Sequence, residues 1–228
     1  MEYSSNNSAW NTYTKNSVIS LNAGDKVYFR GNNSTILGTN SSTPIIKINN
    51  GKCGCYGLVA SLYNKTNYKN NVNVNATLNS TENAYANELG MLFYNQTNLT
   101  HGPSFRNITN TNTTATAGYA LGWAFQGCTN LVEMEDTSVL TVFDYYLGGR
   151  TFKNCSSLVS FNVKDGKTVT INKTFGKYGG HETFNGCTSL TDVSWLKLNI
   201  TTWQGGQETF NNCTGLIYGP TLLTTGGA

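Results

Sequence analysis

One phrase recurs along this chain and decides most of what it can fold into. It reads A-F-Q-G-C-T-N-L at Ala124–Leu131, T-F-K-N-C-S-S-L at Thr151–Leu158, T-F-N-G-C-T-S-L at Thr183–Leu190 and T-F-N-N-C-T-G-L at Thr209–Leu216. A decayed copy, L-F-Y-N-Q-T-N-L at Leu92–Leu99, carries Gln96 in place of the cysteine. Successive phenylalanines (Phe93, Phe125, Phe152, Phe184 and Phe210) are 32, 27, 32 and 26 residues apart. Self-similarity at such a period marks architectures in which no unit buries its own apolar edge and the units must stack.

Within the phrase, Phe and Cys stand three residues apart, on one face of a helical turn. The Gly or Asn between them permits the turn to end in a left-handed conformation. The leucines Leu99, Leu131, Leu158, Leu190 and Leu216 then open an extended segment. Apolar residues follow at +3 and often +5 from the leucine: Met134, Phe161 with Val163, and Val193 with Trp195. The pattern predicts a unit of short helix, turn and short strand, with Leu, +3 and +5 facing inward. Cys128, Cys155, Cys187 and Cys213 hold one place in successive units, which reads as a ladder of buried thiols. A disulfide between adjacent rungs and a metal site are the alternatives, although zinc favours closely spaced cysteine pairs. Cys53 and Cys55, in K-C-G-C-Y, alternate along a strand or bracket a turn and are assigned no chemistry.

The F-x-x-C-x-x-L core resembles the BspA-type leucine-rich-repeat family over residues 85–220, with units longer than that family's usual ones. The extra length is expected in loops such as Lys164–Lys177. Gly219 and Pro220 break the pattern, so the repeats are expected to stop there. Residues 1–84 lack the phrase and read as β, with candidate strands at Trp10–Tyr13, Val18–Leu21, Lys26–Arg30, Pro44–Ile48 and Leu58–Leu62. Turns are expected at Asn6-Asn7-Ser8 and Ala23-Gly24-Asp25. The stretch Ile19–Asn33, with Trp10–Tyr13 before it and Tyr56–Tyr63 after, is similar to the β segment preceding BspA-type repeats in surface proteins of gut Bacteroidetes and in structural proteins of their phages. The resemblance implies a β-rich α/β fold: a β-sandwich-like cap domain at 1–84, then a short right-handed solenoid of about five units at 85–228. Capping suits physics as well, because an open stack exposes apolar surface at its ends. Polar stretches at Asn64–Asn83 and Asn107–Ala117 are expected to be surface loops.

Composition narrows function. Charged residues are only 12% of the chain and the net charge is +3, with no dense basic cluster, which argues against nucleic-acid binding. No run approaches the ~20 apolar residues of a membrane span. Met-Glu-Tyr-Ser-Ser does not open a signal peptide, so the chain is expected to assemble in a cytoplasm or to be a piece of something longer. N-x-S/T occurs fifteen times; these would be glycosylation acceptors in a eukaryotic secreted protein, but several fall inside the phrase, where a glycan would disrupt packing. No protease, hydrolase or P-loop motif appears, and the two histidines, His101 and His181, are 80 residues apart. The expectation is a non-enzyme without cofactor or metal. Glu133, Glu135 and Asp136 read as solvated charges at a strand end, with cation binding as the other reading.

A ligand would meet the outward strand positions. Counting from the repeat leucine, +2 and +4 place His101, Glu133, Glu135, Ser160, Asn162, Asp192, Ser194 and Tyr218 on that face. Acidic, hydroxyl and aromatic groups there suit a carbohydrate or a protein. Trp195 and Trp203 stand inward or at the edge. The resemblance implies a virion fibre or decoration protein of a phage, displayed on the virion surface as a homo-oligomer. Its partners would be other virion proteins or a host glycan or surface protein. A bacterial cell-surface adhesin or glycan-binding module is the alternative.

Overall fold

A computed structural model describes residues 1–33, 44–66, 74–76, 89–110, 121–141, 149–163, 169–171, 180–200 and 206–225. The N-terminal elements are β1 (Glu2–Ser4), β2 (Asn11–Thr12), β3 (Tyr28–Arg30), β4 (Cys53–Gly54), α1 (Ala60–Tyr63) and β5 (Val74–Ala76). The repeats contribute β6 (Leu99–Gly102), β7 (Ile108–Asn110), β8 (Glu133–Met134), α2 (Ser138–Thr141), β9 (Ser160–Phe161), β10 (Val169–Ile171), β11 (Leu196–Ile200) and β12 (Thr221–Thr225).

Each copy of the phrase forms one layer, and its conformation differs from the helix expected. The phrase is a run of turns, not a helix. Its backbone is left-handed two residues before and two residues after every phenylalanine. The first set is Met91, Trp123, Arg150, Glu182 and Glu208; the second is Asn95, Gly127, Asn154, Gly186 and Asn212. A helix cannot pass through such residues. The consequence is an alternation of hydrogen bonds. In the second layer Ala124, Gln126 and Cys128 donate N–H back to carbonyls three residues earlier, at 3.0 to 3.1 Å. Trp123, Phe125 and Gly127 instead donate to Gly149, Thr151 and Lys153 of the next layer, at 3.3, 2.9 and 2.8 Å. Every second N–H thus stitches one layer to its successor, where an α-helix would have spent all of them internally.

The same register aligns the side chains. The five phenylalanine rings stack in chain order with centroids 5.2 to 5.6 Å apart and planes within 24°. Each repeat thiol donates to the carbonyl of the preceding layer's phenylalanine. Cys128, Cys155 and Cys213 reach Phe93, Phe125 and Phe184 at 3.0 Å, and Cys187 reaches Phe152 at 3.2 Å. All six cysteines are free thiols. Burial pushes Cys128 up to about 12 and holds Cys155 and Cys187 well above the ordinary thiol value, so these groups stay protonated donors.

Beyond the phrase, strands pair in parallel. β4, β6, β8 and β9 form one sheet in chain order, and the isolated bridge Asp192–Tyr218 pairs the next two layers in the same sense. Gly102, Met134, Phe161 and Val193, at +3 from the repeat leucines, are buried as the pattern requires. At +5 the sequence reading holds less well: Val163 and Trp195 are only half-buried, while Ser104 and Asp136 are buried polar groups. A second set of parallel pairings links β5 with β7, and β10 with β11 and β12. Three of these strands fall where loops were expected, β5 in Asn64–Asn83, β7 in Asn107–Ala117 and β10 in Lys164–Lys177. Their Val-Asn-Ala, Ile-Thr-Asn and Val-Thr-Ile text each carries at least one β-branched residue, which suits a ladder despite polar surroundings. Most of the remainder of these stretches lies outside the described residues, as does Trp203.

At the N-terminal side, β1 sits centrally in a three-stranded antiparallel sheet of order β2-β1-β3. Glu2 ties this sheet together through Arg30 at 2.6 Å and Lys65 at 2.7 Å. Asn6 closes the first hairpin, its side chain accepting from the N–H groups of Ser8 and Ala9 at 3.0 Å, with Asn7 left-handed. Three of the expected strands differ. Val18–Leu21 carries no strand, because Val18 and Leu21 face solvent and no partner strand flanks them. Pro44–Ile48 is irregular, and Leu58–Leu62 is a single bridge to Ser104 followed by α1. A short apolar run does not by itself separate strand from helix.

Residues 44–63 join the core of the repeats. Ile45 and Ile46 donate N–H to Met91 and Leu92 of the first layer, and β4 pairs with β6. The side-chain oxygen of Gln96 accepts from Ile48 N–H at 2.6 Å, and its amide donates to Tyr94 carbonyl at 3.1 Å. Gln96 therefore stands in the cysteine place at the one layer with no phenylalanine carbonyl before it, and bonds to the covering segment instead.

Candidate functional site

The outward face of the β4-β6-β8-β9 sheet, with the separate Asp192–Tyr218 bridge of the next two layers, carries the expected residues in rows. At +2 from the repeat leucines lie His101, Glu133, Ser160, Asp192 and Tyr218. At +4 lie Glu135, Asn162 and Ser194. Exposure rises along the stack: His101 is 9% exposed, Glu133 and Ser160 are intermediate, Asp192 is exposed and Tyr218 is 60% exposed.

His101 departs from the expectation of a free ligand-facing group. Its Nδ1 is 3.2 Å from Glu133 and its Nε2 is 3.0 Å from Glu135, and the Tyr56 ring stacks on it at 4.2 Å. The imidazole is held by all three. Tyr56, 69% exposed, is the lid of this cluster and was not singled out by the sequence. The signal that could have found it is K-C-G-C-Y: Cys53 pairs with Leu99 and Gly54 with His101, which sets Tyr56 beside the histidine. The neighbouring Cys55 thiol is pushed up to about 12, first by burial and then by Cys53 and Glu135.

The acidic trio is also corrected. Asp136 is buried, not solvated. It accepts from Ser104 Oγ at 2.6 Å and from Ser138 N–H at 2.9 Å, with Ser138 Oγ also on it and Arg106 Nε at 2.9 Å. Ser138 Oγ in turn accepts the Phe105 N–H at 2.7 Å. A buried carboxylate survives only when so partnered. Asp136 thus fixes the bend after β8 and does not reach the face, while Glu133 and Glu135 serve His101. Among the described residues no group of three His, Cys, Asp or Glu side chains could hold a metal ion.

Toward the far end the face is open. Asp192 accepts from Ser194 N–H at 2.8 Å, and hydrogen bonds from the Ser194 backbone and side chain lower its carboxyl below the ordinary aspartate value. Trp195 donates its ring N–H to the Asp192 carbonyl at 3.1 Å and leans on Phe161 at 5.5 Å, which places it at the edge, half-buried. A further row was overlooked. At +1, Thr100, Val132, Val159, Thr191 and Ile217 are all β-branched, and Val132, Val159 and Ile217 are 46%, 44% and 71% exposed. The chain after each repeat leucine kinks, so +1 as well as +2 looks outward.

The arrangement presents parallel strand segments on the stacked layers, with a β-branched stripe bordered by acidic, hydroxyl and aromatic groups. No known protein family, curated protein or solved structure matches the chain.

Proposed function

We propose that this chain is a non-enzymatic structural or adhesion protein. In this reading it is a BspA-like leucine-rich-repeat solenoid behind a β-rich cap, and a fibre or decoration component on a bacteriophage virion. It recognises a host-surface or virion partner through the outer strand face. One observation carries the reading. The inward groups of the phrase are nearly the same in every layer, whereas the +2 position holds His101, Glu133, Ser160, Asp192 and Tyr218, a different chemistry at each level. A rigid stack with a varied, flat exterior suits recognition of an extended partner, and its one histidine on that face is engaged by Glu133 and Glu135.

The virion assignment is tested by mass spectrometry of purified virions, where the chain is expected at structural stoichiometry. Recovery from the host envelope alone would replace it with a bacterial surface adhesin. Homo-oligomer formation is tested by sedimentation equilibrium, and a strict monomer would count against a fibre. The face itself is tested with Asp192→Ala and Tyr218→Ala. Both are expected to keep the fold and to lose attachment to host cells or to a glycan array; retained attachment would move the contact elsewhere.

A further inference from the structure

The ladder of alternate N–H groups has a direction. In each of the first four layers the phenylalanine and the residues two before and two after it donate to the following layer. Glu182, Phe184 and Gly186, for example, donate to Gln207, Thr209 and Asn211 at 3.0, 2.8 and 2.9 Å. In the fifth layer the equivalent donors are Glu208, Phe210 and Asn212, and among the described residues no carbonyl accepts from them. The side chains agree. Phe184, Cys187 and Leu190 are 2%, 0% and 0% exposed, whereas Phe210, Cys213 and Leu216 are only partly buried. After them in the chain, β12 is an outer strand of its sheet among the described residues.

The same interface, repeated four times, specifies what fits this edge. The opposite pole of the stack is covered by Ile45–Ile48, whose N–H groups meet the first layer's carbonyls. A two-fold copy of this chain docked on the fifth layer would bring donors against donors, and leave all three N–H groups unmet. The occupant must run parallel and present alternate main-chain carbonyls. Charge adds a further requirement. Two residues before the phenylalanine, Arg150 lies next to Glu182 and pairs with it, joined by Lys153 of the same layer. Glu208 occupies that row in the fifth layer, is exposed, and among the described residues accepts from the Asn185 amide alone, at 3.3 Å.

We propose that this edge is a docking site for a segment of another polypeptide. That segment runs parallel to the fifth layer, caps its three N–H groups with main-chain carbonyls, lays an apolar side chain on Phe210 and sets a cation against Glu208. This is edge augmentation applied to a turn ladder rather than to a strand. It is independent of the outer strand face and stands or falls separately.

The test uses the full chain, isotopically labelled, with a synthetic peptide of residues 149–163 as probe, since that segment carries Arg150, Phe152 and Lys153 in the required places. In the free chain the amides of Glu208, Phe210 and Asn212 are expected to exchange fast, and those of Glu182, Phe184 and Gly186 slowly. Peptide is expected to slow the first three and shift their resonances. A peptide with Arg150→Glu, and a chain with Phe210→Ala, are each expected to bind about five-fold more weakly, the worth of one exposed ion pair or ring contact. Protection of the three amides in the free monomer would overturn the proposal, as would protection that grows with chain concentration alone, which would make a second copy the occupant. Absence of any peptide effect on them, or equal binding of the Arg150→Glu peptide, would also overturn it.

Discussion

The stacked rings make the cost of losing a phenylalanine depend on its level, and this can be worked out before measurement. Phe152 is fully buried, lies 5.2 and 5.6 Å from the parallel rings of Phe125 and Phe184, and meets Phe161 edge-on at 5.3 Å. Truncating a buried Phe to Ala costs about 3–5 kcal/mol. Three aromatic contacts, each contributing about 0.5–1.5 kcal/mol, put Phe152→Ala near the upper end, about 5 kcal/mol. Phe210 is half-buried and, among the described residues, stacks on one ring only, Phe184, at 5.3 Å. With roughly half the burial and one ring contact, Phe210→Ala is expected to cost about 1–2 kcal/mol. Phe93 is the discriminating case. It is also the last ring of the stack, yet it is 1% exposed, because the segment at Ile45–Ile48 lies against the first layer. Phe93→Ala is therefore expected to behave as an interior substitution, about 3–4 kcal/mol. Urea unfolding followed by far- and near-ultraviolet circular dichroism gives the three differences, provided that both probes report one transition. Domains of this size have about 5–15 kcal/mol in total, so Phe152→Leu serves if Phe152→Ala does not fold. Equal costs at the three levels would refute the ladder as the stabilising unit. A mild Phe93→Ala would refute the covering role of residues 44–48.

Four other outcomes follow from the same geometry. Gly127→Ala is expected to destabilise by about 1–2 kcal/mol, because its φ is +74° and a Cβ would stand 2.1 Å from the Asn95 side-chain oxygen; an unchanged urea midpoint would contradict this. Gly215→Ala is expected to be destabilising although its φ is ordinary, since the added carbon would lie 2.5 Å from the immovable Thr188 carbonyl; thermal melts decide. A thiol reagent is expected to modify Cys53 quickly in the native chain and Cys128, Cys155 and Cys187 only on unfolding, read by peptide mass spectrometry. For Glu182, burial raises the carboxyl, but the hydrogen bonds and charges of Lys153 and Arg150 outweigh it, so the folded value is lowered. Its contribution to stability is thus complete above the unfolded glutamate value and is lost as pH falls through the folded one. Glu182→Gln is expected to flatten that part of the acid limb of a stability-against-pH curve, and an identical limb would remove Glu182 from the account.

The repeating phrase made the layers legible because its inward residues have only one solution: Phe, Cys and Leu at fixed offsets all enter the core. Gly and Asn two residues after Phe likewise announced a left-handed turn. The left-handed residues before Phe were hidden, since Met91, Trp123 and Arg150 share no chemistry with one another or with the two glutamates, Glu182 and Glu208. Their conformation is imposed by the inter-layer hydrogen bonds, a tertiary effect that local text does not carry. That is why the phrase read as a helix. The strands β7 and β10 were masked by Asn and Thr, whose loop-like composition outweighed a three-residue β-branched pattern. The outward rows at +2 and +4 were legible from the leucine register. The +1 row was not, because the kink after the leucine sets two successive residues outward. Tyr56 was unreadable for a different reason: its place depends on the register of β4 against β6, which shifts between Cys53 and Gly54.

That division also bears on where recognition can reside. The phenylalanine of each of the first four layers is committed through its N–H, its carbonyl and its ring, and each cysteine through its thiol; a change there disturbs two layers at once. Inward positions on the strands are coupled in the same way. A Cβ on Gly102 would sit 2.2 Å from Met134 Sδ, so the absence of a side chain in one layer is matched by a long one in the next. Among the described residues the outward positions +1, +2 and +4 carry less of this coupling, the contact of His101 with Glu133 and Glu135 excepted. Along them the chain has placed a β-branched row beside a polar row that changes from a clamped histidine to an open tyrosine. A partner reading the rows would find the His101 end preformed, with Tyr56, Glu133 and Glu135 already engaged, and the Asp192–Tyr218 end free to rearrange. Contacts at the first end would therefore lose little side-chain entropy and supply shape, while contacts at the second would order exposed groups on binding. Substitutions at Asp192 and Tyr218 should consequently alter the entropy of association more than substitutions at Tyr56, a difference that calorimetry on a recovered partner would measure and that equal entropies would refute.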